Sequence, residues 1–422
     1  MPDEFWTSFV RTHWDRVGAV IRQPLATPFA SPAEVFSALV VASDRLRAGD
    51  ARVQLEFCID QARQVADIGR YLPSQSDGTA ERYAERVTTL IGGRKFGLIV
   101  EDVQASDATL WLRLRDFLRG LYEHTGLPGD VAKATVFLGN YDRTPFGLHR
   151  GTSHNFVFAV DGPKRMRTWP DAYFRGKEDL THRMDYAQHN GDSIVMDAQP
   201  GDVIYWPSDY WHIGESVGGA LACSVSVALF MEPRPSFDVA ASAANMVYRQ
   251  LADDAPSPAI RPSALAASVG VIEATTRRAT DALKAVSDDE RLLRALRVSA
   301  LNRVTGSGFD YPPVALPLAP LADDATVRGD ARYPVLWMRS ADDEIICSAN
   351  GHSFGIAASP MVLALLEWVN SGVPASVASL VAAHSGAVVA DGVEFETSAA
   401  DVRGLLDRLV SLRALASSAI RT

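Results

Sequence analysis

Two stretches of the chain set metal-ligating and hydrogen-bonding side chains at spacings that a β-structure would gather on one face. Of nine histidines, five lie within residues 133–232: His149, His154, His182, His189 and His212. Neutral imidazole is a common ligand for iron, zinc and copper. A lone buried histidine is more often a hydrogen-bonded core residue, but the flanking sequence lifts His149 and His212 above that. In GDVIYWPSDYWHIGES (201–216), Gly201 permits a tight turn, Pro207 fixes the next one, and the chain re-enters a strand carrying His212. In TPFGLHRGTSHNFVFAVDGPKR (144–165), His149, Gly151, Ser153 and Asn155 follow at alternate positions. Alternate residues of a strand share a face, so these four should point one way. His154 should point the other way unless a bulge intervenes. Thr144 precedes this run and Lys164 follows it, a hydroxyl and a cation at either end.

The elements that must position these groups are short. VAKATVFLGNY, HNFVFAVDG, KRMRTW, DSIVMDA, GDVIYW and ACSVSVALFM are runs of β-branched and aromatic residues punctuated by Gly, Pro, Asn and Asp. Their spacing predicts a barrel or jelly roll over about 133–232. The segments on either side differ. Residues 1 to about 130 mix helices with occasional strands. Ser31-Pro32 followed by Glu34 starts a helix that Gly49 stops, and 107–122 has apolar residues at helical spacing. Residues 236–310 are Ala-rich and helical, with Asp288-Asp289-Glu290 as a helix start. YPPVALPLAP (311–320) reads as a linker. Residues 325–422 alternate amphipathic helices (PMVLALLEWVNSG, SAADVRGLLDRLVSLRAL) with the strand-like EIICSA and VEFE, a winged-helix-like pattern. The expected class is therefore α+β, with a catalytic domain over 1–235, a helical, dimer-bracing region over 236–310 and a small C-terminal domain.

The two histidine segments resemble the two motifs of the JmjC-type, cupin-like oxygenases that depend on Fe(II) and 2-oxoglutarate, a family that includes the bacterial ribosomal oxygenases. The resemblance places the family's first-motif histidine on His149, its basic residue fifteen positions later on Lys164, and its distal histidine on His212. It implies a double-stranded β-helix (cupin) core in which His149 and His212 hold Fe(II), Lys164 pairs with the far carboxylate of 2-oxoglutarate with help from Thr144, and Asn155 bonds the cosubstrate or the metal's surroundings. Where the family has an acidic ligand two residues after the first histidine, this chain has Gly151, so the motif reads HRG. A two-histidine, one-carboxylate triad suits Fe(II) because it leaves the opposite face open. With glycine there, four outcomes stand. Iron is held by two histidines and water, or by a ligand borrowed from Asp142, His154 or Asp209. Chloride fills the gap, as in radical halogenases with the same His-x-Gly change. Another metal is used, for instance by three histidines if His154 turns inward. Or the chain is a non-catalytic binding protein. Hydroxylation of an unactivated C–H bond in an amino acid, peptide or small molecule is the leading expectation.

Neighbouring residues invite simpler readings. Tyr205, Trp206, Tyr210 and Trp211 either form the mouth of a pocket or pack the barrel. Arg165 and Arg167 are expected to be solvated or paired, Arg150 to point outward, and Glu215 to be exposed. Composition sets outer limits. The chain has 422 residues, 47% hydrophobic and 22% charged, which supports two or three folded domains and excludes a mainly disordered protein. No stretch of about 18 apolar residues suggests a membrane span, and the acidic, aromatic start does not read as a secretory signal. A net charge of −10 makes nucleic acid an unlikely partner. Three scattered cysteines, Cys58, Cys223 and Cys347, suggest a reducing, cytoplasmic setting without a disulfide framework. The helical region and the ribosomal-oxygenase resemblance suggest a homodimer.

Overall fold

The structure is a computed structural model that describes residues 3–64, 66–176, 185–251, 269–341, 344–390 and 392–418. It divides into two compact units. The first holds Met1–Pro233 with Ser307–Val314, and the second Arg234–Gly306 with Ala315–Thr422. No described helix is long and apolar enough to cross a membrane.

The first unit is built on twelve strands: β1 (Ala19–Ile21), β2 (Leu55–Ile59), β3 (Ala62–Gln64), β4 (Phe96–Val100), β5 (Ala132–Gly139), β6 (His149–Arg150), β7 (His154–Asp161), β8 (Lys164–Trp169), β9 (Ile194–Ala198), β10 (Val203–Trp206), β11 (Trp211–Ser216) and β12 (Ala222–Leu229). Eight form one antiparallel sheet in the order β1-β10-β7-β12-β5-β4-β2-β3, and four form another in the order β6-β11-β8-β9. The strand alternation decides which residues meet what. On β5, Ala132, Ala134, Val136 and Leu138 join the main apolar core, and so do Cys223, Val225, Val227 and Leu229 of β12. The intervening residues Thr135, Phe137, Ser224 and Ser226 face a cavity instead.

Helices cover the core face of the large sheet. These are α1 (Asp3–Thr12), α2 (Pro32–Arg47), α3 (Ala80–Leu90) and α4 (Ala108–Thr125), and the short α5 (Asp171–Phe174) comes later in the chain. Helix α2 starts as the sequence predicts: Ser31 and Glu34 form a reciprocal capping box and Pro32 takes the first helical position. Helix α4 runs beyond the expected Tyr122 to Thr125 and ends at Gly126, whose φ of +75° suits glycine. Gly120 sits inside α4, where glycine weakens a helix. A Cβ there would lie 2.3 Å from the indole of Trp6, which is 1% exposed, so the missing side chain is what admits α1.

The sequence reading found the β-core strands but left β2 and β4 within a mixed N-terminal region. They extend the large sheet beyond β5: Gly97–Val100 of β4 pairs with Val136–Gly139 of β5, and β4 in turn pairs with β2.

The second unit contains α6 (Ser236–Leu251), α7 (Val269–Ser287) and α8 (Glu290–Thr305), the last capped by Asp289. After them come β13 (Thr326–Gly329), β14 (Leu336–Ala341), β15 (Glu344–Ala349), β16 (His352–Ala357), α9 (Pro360–Ser371), β17 (Ala375–Ser376), α10 (Val377–His384), β18 (Gly386–Ala390), β19 (Val393–Thr397), α11 (Ala399–Ser411) and β20 (Leu415–Ser417). The predicted strand EIICSA is the middle of a β14-β15-β16 meander, and VEFE is one arm of the β18-β19 hairpin. Leu365, Leu366, Leu405, Leu406 and Leu409 centre this unit's own core.

Candidate active site

A cavity of about 320 Å³ lies between the two sheets of the first unit. The large sheet contributes Thr135, Asn155, Ser224 and Ser226. The small sheet and the segment leading into it contribute Thr144, His149, Lys164, His212 and Gly214. Residues far apart in sequence are thus gathered by strand register alone.

At one end are the two histidines. His149 and His212 are directly opposite one another on the antiparallel pair β6 and β11. Their ring centroids are 4.3 Å apart at an interplanar angle of 58°. His149 Nδ1 lies 2.9 Å from the Gly147 carbonyl oxygen, and His212 Nδ1 lies 3.2 Å from that of Tyr210. A carbonyl only accepts, so each Nδ1 carries the proton and each Nε2 keeps its lone pair. Burial, with His149 alongside, pushes the His212 imidazole down to about 3, so it is neutral at ordinary pH. This donor set fits a metal held through two imidazoles. Among the described residues no third His, Cys, Asp or Glu joins them. Gly151 lies against the same ring: a Cβ on it would come within 2.9 Å of His212 Cε1.

At the other end is Lys164, 3% exposed although it carries an ammonium group. Its Nζ donates to the Tyr141 hydroxyl at 2.9 Å and lies 5.6 Å from the centre of the Phe137 ring. Lys164 pairs with Ser216 on β11, but its side chain leans back toward His212. The Nζ would be 3.1 Å from a Cβ on Gly214, and Thr144 Cγ2 would be 3.0 Å from it. Glycine at 214 is therefore the space through which Lys164 and Thr144 meet over β11. Thr144 is buried, and its amide donates to the Gly214 carbonyl at 2.8 Å. The Lys164 ammonium thus sits two strand positions from His212, roughly 7 Å along β11. Ser224 Oγ is also buried against this cavity, with no hydrogen-bond partner among the described residues.

Tyr141 and Gly214 were not picked out from the sequence. Gly214 had a legible signal, since it lies two residues after His212 on the same face; Tyr141 had none.

Asn155 lines the cavity, but its amide donates to its own neighbour, Ser153, at the carbonyl (2.8 Å) and at Oγ (3.2 Å). The expected parity holds on β7, and no bulge turns His154 inward. His154 stacks on Trp14 at 4.0 Å and 9° on the core face, with Nδ1 3.0 Å from the Tyr205 hydroxyl. Burial pushes it down to about 4. The three-histidine arrangement is therefore corrected: His154 packs the core.

The other proposed donors of a borrowed ligand are engaged elsewhere. Asp142 pairs with Lys95, and Asp209 with Arg150 at 2.7 Å. Arg165 pairs with Asp197 and Arg167 with Glu215. Glu215 is not the exposed residue expected, because it also accepts from the Tyr186 hydroxyl at 2.6 Å in a half-buried network. Of the aromatic cluster, Trp206 faces the cavity, its ring 5.0 Å from that of His212. Tyr205 packs in the core, Trp211 against Phe174, and the Tyr210 hydroxyl donates to the Arg16 carbonyl. His189 is buried beside Tyr173 and Phe174 rather than in the cavity. His182 lies outside the described residues.

Residues 127–233, which hold the cavity-lining residues, match the JmjC domain family. Among solved structures, the Escherichia coli ribosomal oxygenase YcfD aligns over 98% of each chain at 14% identity and a TM-score of 0.47. A structure of the same enzyme in complex with cobalt and 2-oxoglutarate aligns over the same share, at 14% identity and a TM-score of 0.45. The oxalate decarboxylase of Bacillus subtilis aligns over 37% of this chain and 33% of its own, at 14% identity and a TM-score of 0.20. No curated protein matches the sequence.

Proposed function

From the JmjC domain at residues 127–233, we propose that the chain is an Fe(II)- and 2-oxoglutarate-dependent oxygenase that hydroxylates an unactivated C–H bond of an amino acid, peptide or small molecule. One observation carries this reading. A single cavity joins two imidazoles, each with Nδ1 on a backbone carbonyl, to a buried ammonium about two strand positions away. That separation suits a short dicarboxylate with one end at the metal and the other at the cation.

His149 and His212 would hold the iron, with their Nδ1–H groups fixed on backbone carbonyls so that neither ring can turn its lone pair away. Lys164 would pair with the far carboxylate. Tyr141, which accepts from the ammonium, holds Lys164 in place and keeps its own hydroxyl proton to donate to the same carboxylate. Thr144 adds a second hydroxyl. Removing an ammonium from water is expensive unless an anion replaces the water, which favours an acidic ligand in this cavity. Iron with 2-oxoglutarate supplies the oxidising chemistry, and the protein's part is to position the C–H and exclude water.

A second reading is favoured by Gly151. With no carboxylate from that position, His149 and His212 would hold the iron with room for chloride beside it, and the chemistry supplied would then be halogenation. The exposed apolar residues Phe237, Met246, Leu283 and Leu293 on α6, α7 and α8 support a homodimer. The second unit's helices and hairpin then serve as a winged-helix-like brace rather than a nucleic-acid reader. A cytoplasmic setting accords with its three buried free cysteines.

The test is an anaerobic titration of the metal-free protein with Fe(II) and 2-oxoglutarate, with and without chloride. The visible charge-transfer band of the chelate is followed. It is expected to appear in the wild type and to weaken in His212→Ala and Lys164→Ala. A chloride-dependent shift would favour halogenation. No band under any condition would overturn both enzyme readings in favour of a binding protein.

A further inference from the structure

The metal-binding pair is held by a turn that supplies no ligand. Between β10 and β11 the chain reverses over residues 207–210, with Asp209 in the left-handed region at φ +63°. Two backbone hydrogen bonds seat this turn on Gly151: the Asp209 amide donates to the Gly151 carbonyl at 2.8 Å, and the Gly151 amide donates to the Tyr210 carbonyl at 3.3 Å. The Tyr210 carbonyl also accepts from His212 Nδ1. One oxygen therefore reports the position of Gly151 to the imidazole of His212. The ring is further confined by Gly151 itself, where a Cβ would lie 2.9 Å from Cε1, and by Trp206. At the edge of the cavity, which it helps to line, Arg150 donates to the Asp209 carboxylate at 2.7 Å and pairs with Asp171 at 3.2 Å. The arginine between the histidine and the glycine of HRG thus ties its own strand to the turn.

We propose that Arg150 and Asp209 are positioning residues: their ion pair holds the 207–210 turn on Gly151, so that the Tyr210 carbonyl keeps His212 protonated at Nδ1 with Nε2 bare toward the cavity. This rests on His149 and His212 being the metal pair. An exposed ion pair adds little to global stability, so its worth here is geometric. Hydrogen-bond partners of metal-ligating histidines commonly set affinity by factors of ten to a hundred. Asp209 acts one step further out, at the low end of that range.

Asp209→Asn isolates the charge, because asparagine tolerates the left-handed conformation. Asp209→Gly frees the backbone but also lacks the carboxylate. In metal-free wild-type protein, imidazole ¹⁵N shifts should show His212 protonated at Nδ1, and both variants, together with Arg150→Ala, should populate the Nε2–H tautomer. Co(II) affinity, read from the visible absorption of the cobalt-loaded protein, should fall about tenfold in each. The double variant Arg150→Ala/Asp209→Asn should be no weaker than either single one, with melting temperatures close to wild type. Unchanged tautomer populations and Co(II) affinity would overturn the proposal, and so would a double variant whose losses multiply. Wild-type protein that takes up no Co(II) would sink the metal reading. The tautomer shifts in the metal-free protein would still decide whether Arg150 and Asp209 position His212.

Discussion

The two ends of the cavity are furnished unequally. Around Lys164 the polar neighbours suit an anion: Tyr141 and Thr144 bring hydroxyls, and Gly214 gives up a side chain so that ammonium and threonine can meet. Around His149 and His212 the imidazoles are equally well held, yet no carboxylate joins them among the described residues, and Gly151 lies against the His212 ring. The contrast teaches that the glycine of HRG has a structural task of its own. Gly151 fills a packing role, giving His212 a flat surface to lie on and giving the 207–210 turn a backbone to grip. At the far end a buried cation is kept with its hydroxyl partner, where an unpaired charge is costly.

The contrast is broken most directly at the cation. Lys164→Met keeps much of the side chain's bulk and removes its charge. It should weaken 2-oxoglutarate binding at least about a hundredfold, roughly 3 kcal/mol for a charged hydrogen bond lost in a buried site. Calorimetry on the Mn(II)-loaded protein measures this, and an unchanged affinity would mean that the far carboxylate binds elsewhere.

A second test asks whether the histidine on the opposite face of β7 belongs to the site at all. His154 is neutral in the fold, with its imidazole pushed down from 6.5 to about 4 by burial. Below pH 6.5 the unfolded chain takes up a proton that the folded chain refuses, so stability falls as pH drops from 6.5 toward 4. At pH 5 the loss should be about 2 kcal/mol. Urea melts of wild type and His154→Phe between pH 7 and 5 should diverge by that amount, with the variant flatter. Metal affinity should be unaltered, and a large loss of metal in His154→Phe would move that residue into the site.

These differences also mark what could be read from the sequence. The turn-forming residues between β-branched runs were enough to locate β5, β7, β8 and β12. Residues 151–153 lie outside the strands, and Arg150 and Thr152 line the cavity together with Gly151 and Ser153, but strand parity was enough to send Asn155 to the cavity face of β7 and His154 to the core face. Those are local properties of a pleated chain. What escaped is non-local. Tyr141 matters because β5 delivers it beside Lys164 of β8, twenty-three residues away. Gly214 matters for what crosses above it, and Gly120 for a tryptophan more than a hundred residues earlier. The addition of β2 and β4 to the large sheet was hidden for the same reason, since pairing partners are not written in either strand. Glu215 was misread because an acid near a strand end is ordinarily solvated, and only the fold brings Arg167 and Tyr186 to it.

Gly214→Ala tests the furnished end without touching a charge. Its methyl would meet Thr144 Cγ2 at 3.0 Å and Lys164 Nζ at 3.1 Å. The backbone must stay where β8 pairs with it, so the lysine has to move. Binding of 2-oxoglutarate should fall about tenfold, the 1–3 kcal/mol usual for overpacking, while Co(II) affinity stays level. Loss of both together would show that the two ends are mechanically one.

The smallest effect is expected where intuition looks for the largest. Gly151→Asp restores the missing carboxylate on paper, and if the glycine were only an absence, metal affinity should rise. The structure argues the reverse. The new Cβ would stand 2.9 Å from His212 Cε1, against a ring that the Tyr210 carbonyl and Trp206 leave little room to retreat. A carboxylate gained at the cost of a displaced imidazole exchanges one ligand for another. The net change in Co(II) affinity should therefore be a loss of only about three- to fivefold, well under the 1.4 kcal/mol that a factor of ten represents. Gly151→Ala separates the two contributions, since it brings the clash without the ligand and should lose more than Gly151→Asp. If the aspartate variant instead binds Co(II) more tightly than wild type, His212 has the freedom to step aside. Gly151 would then be a vacant ligand position after all, and the two ends of the cavity would differ in occupancy rather than in design.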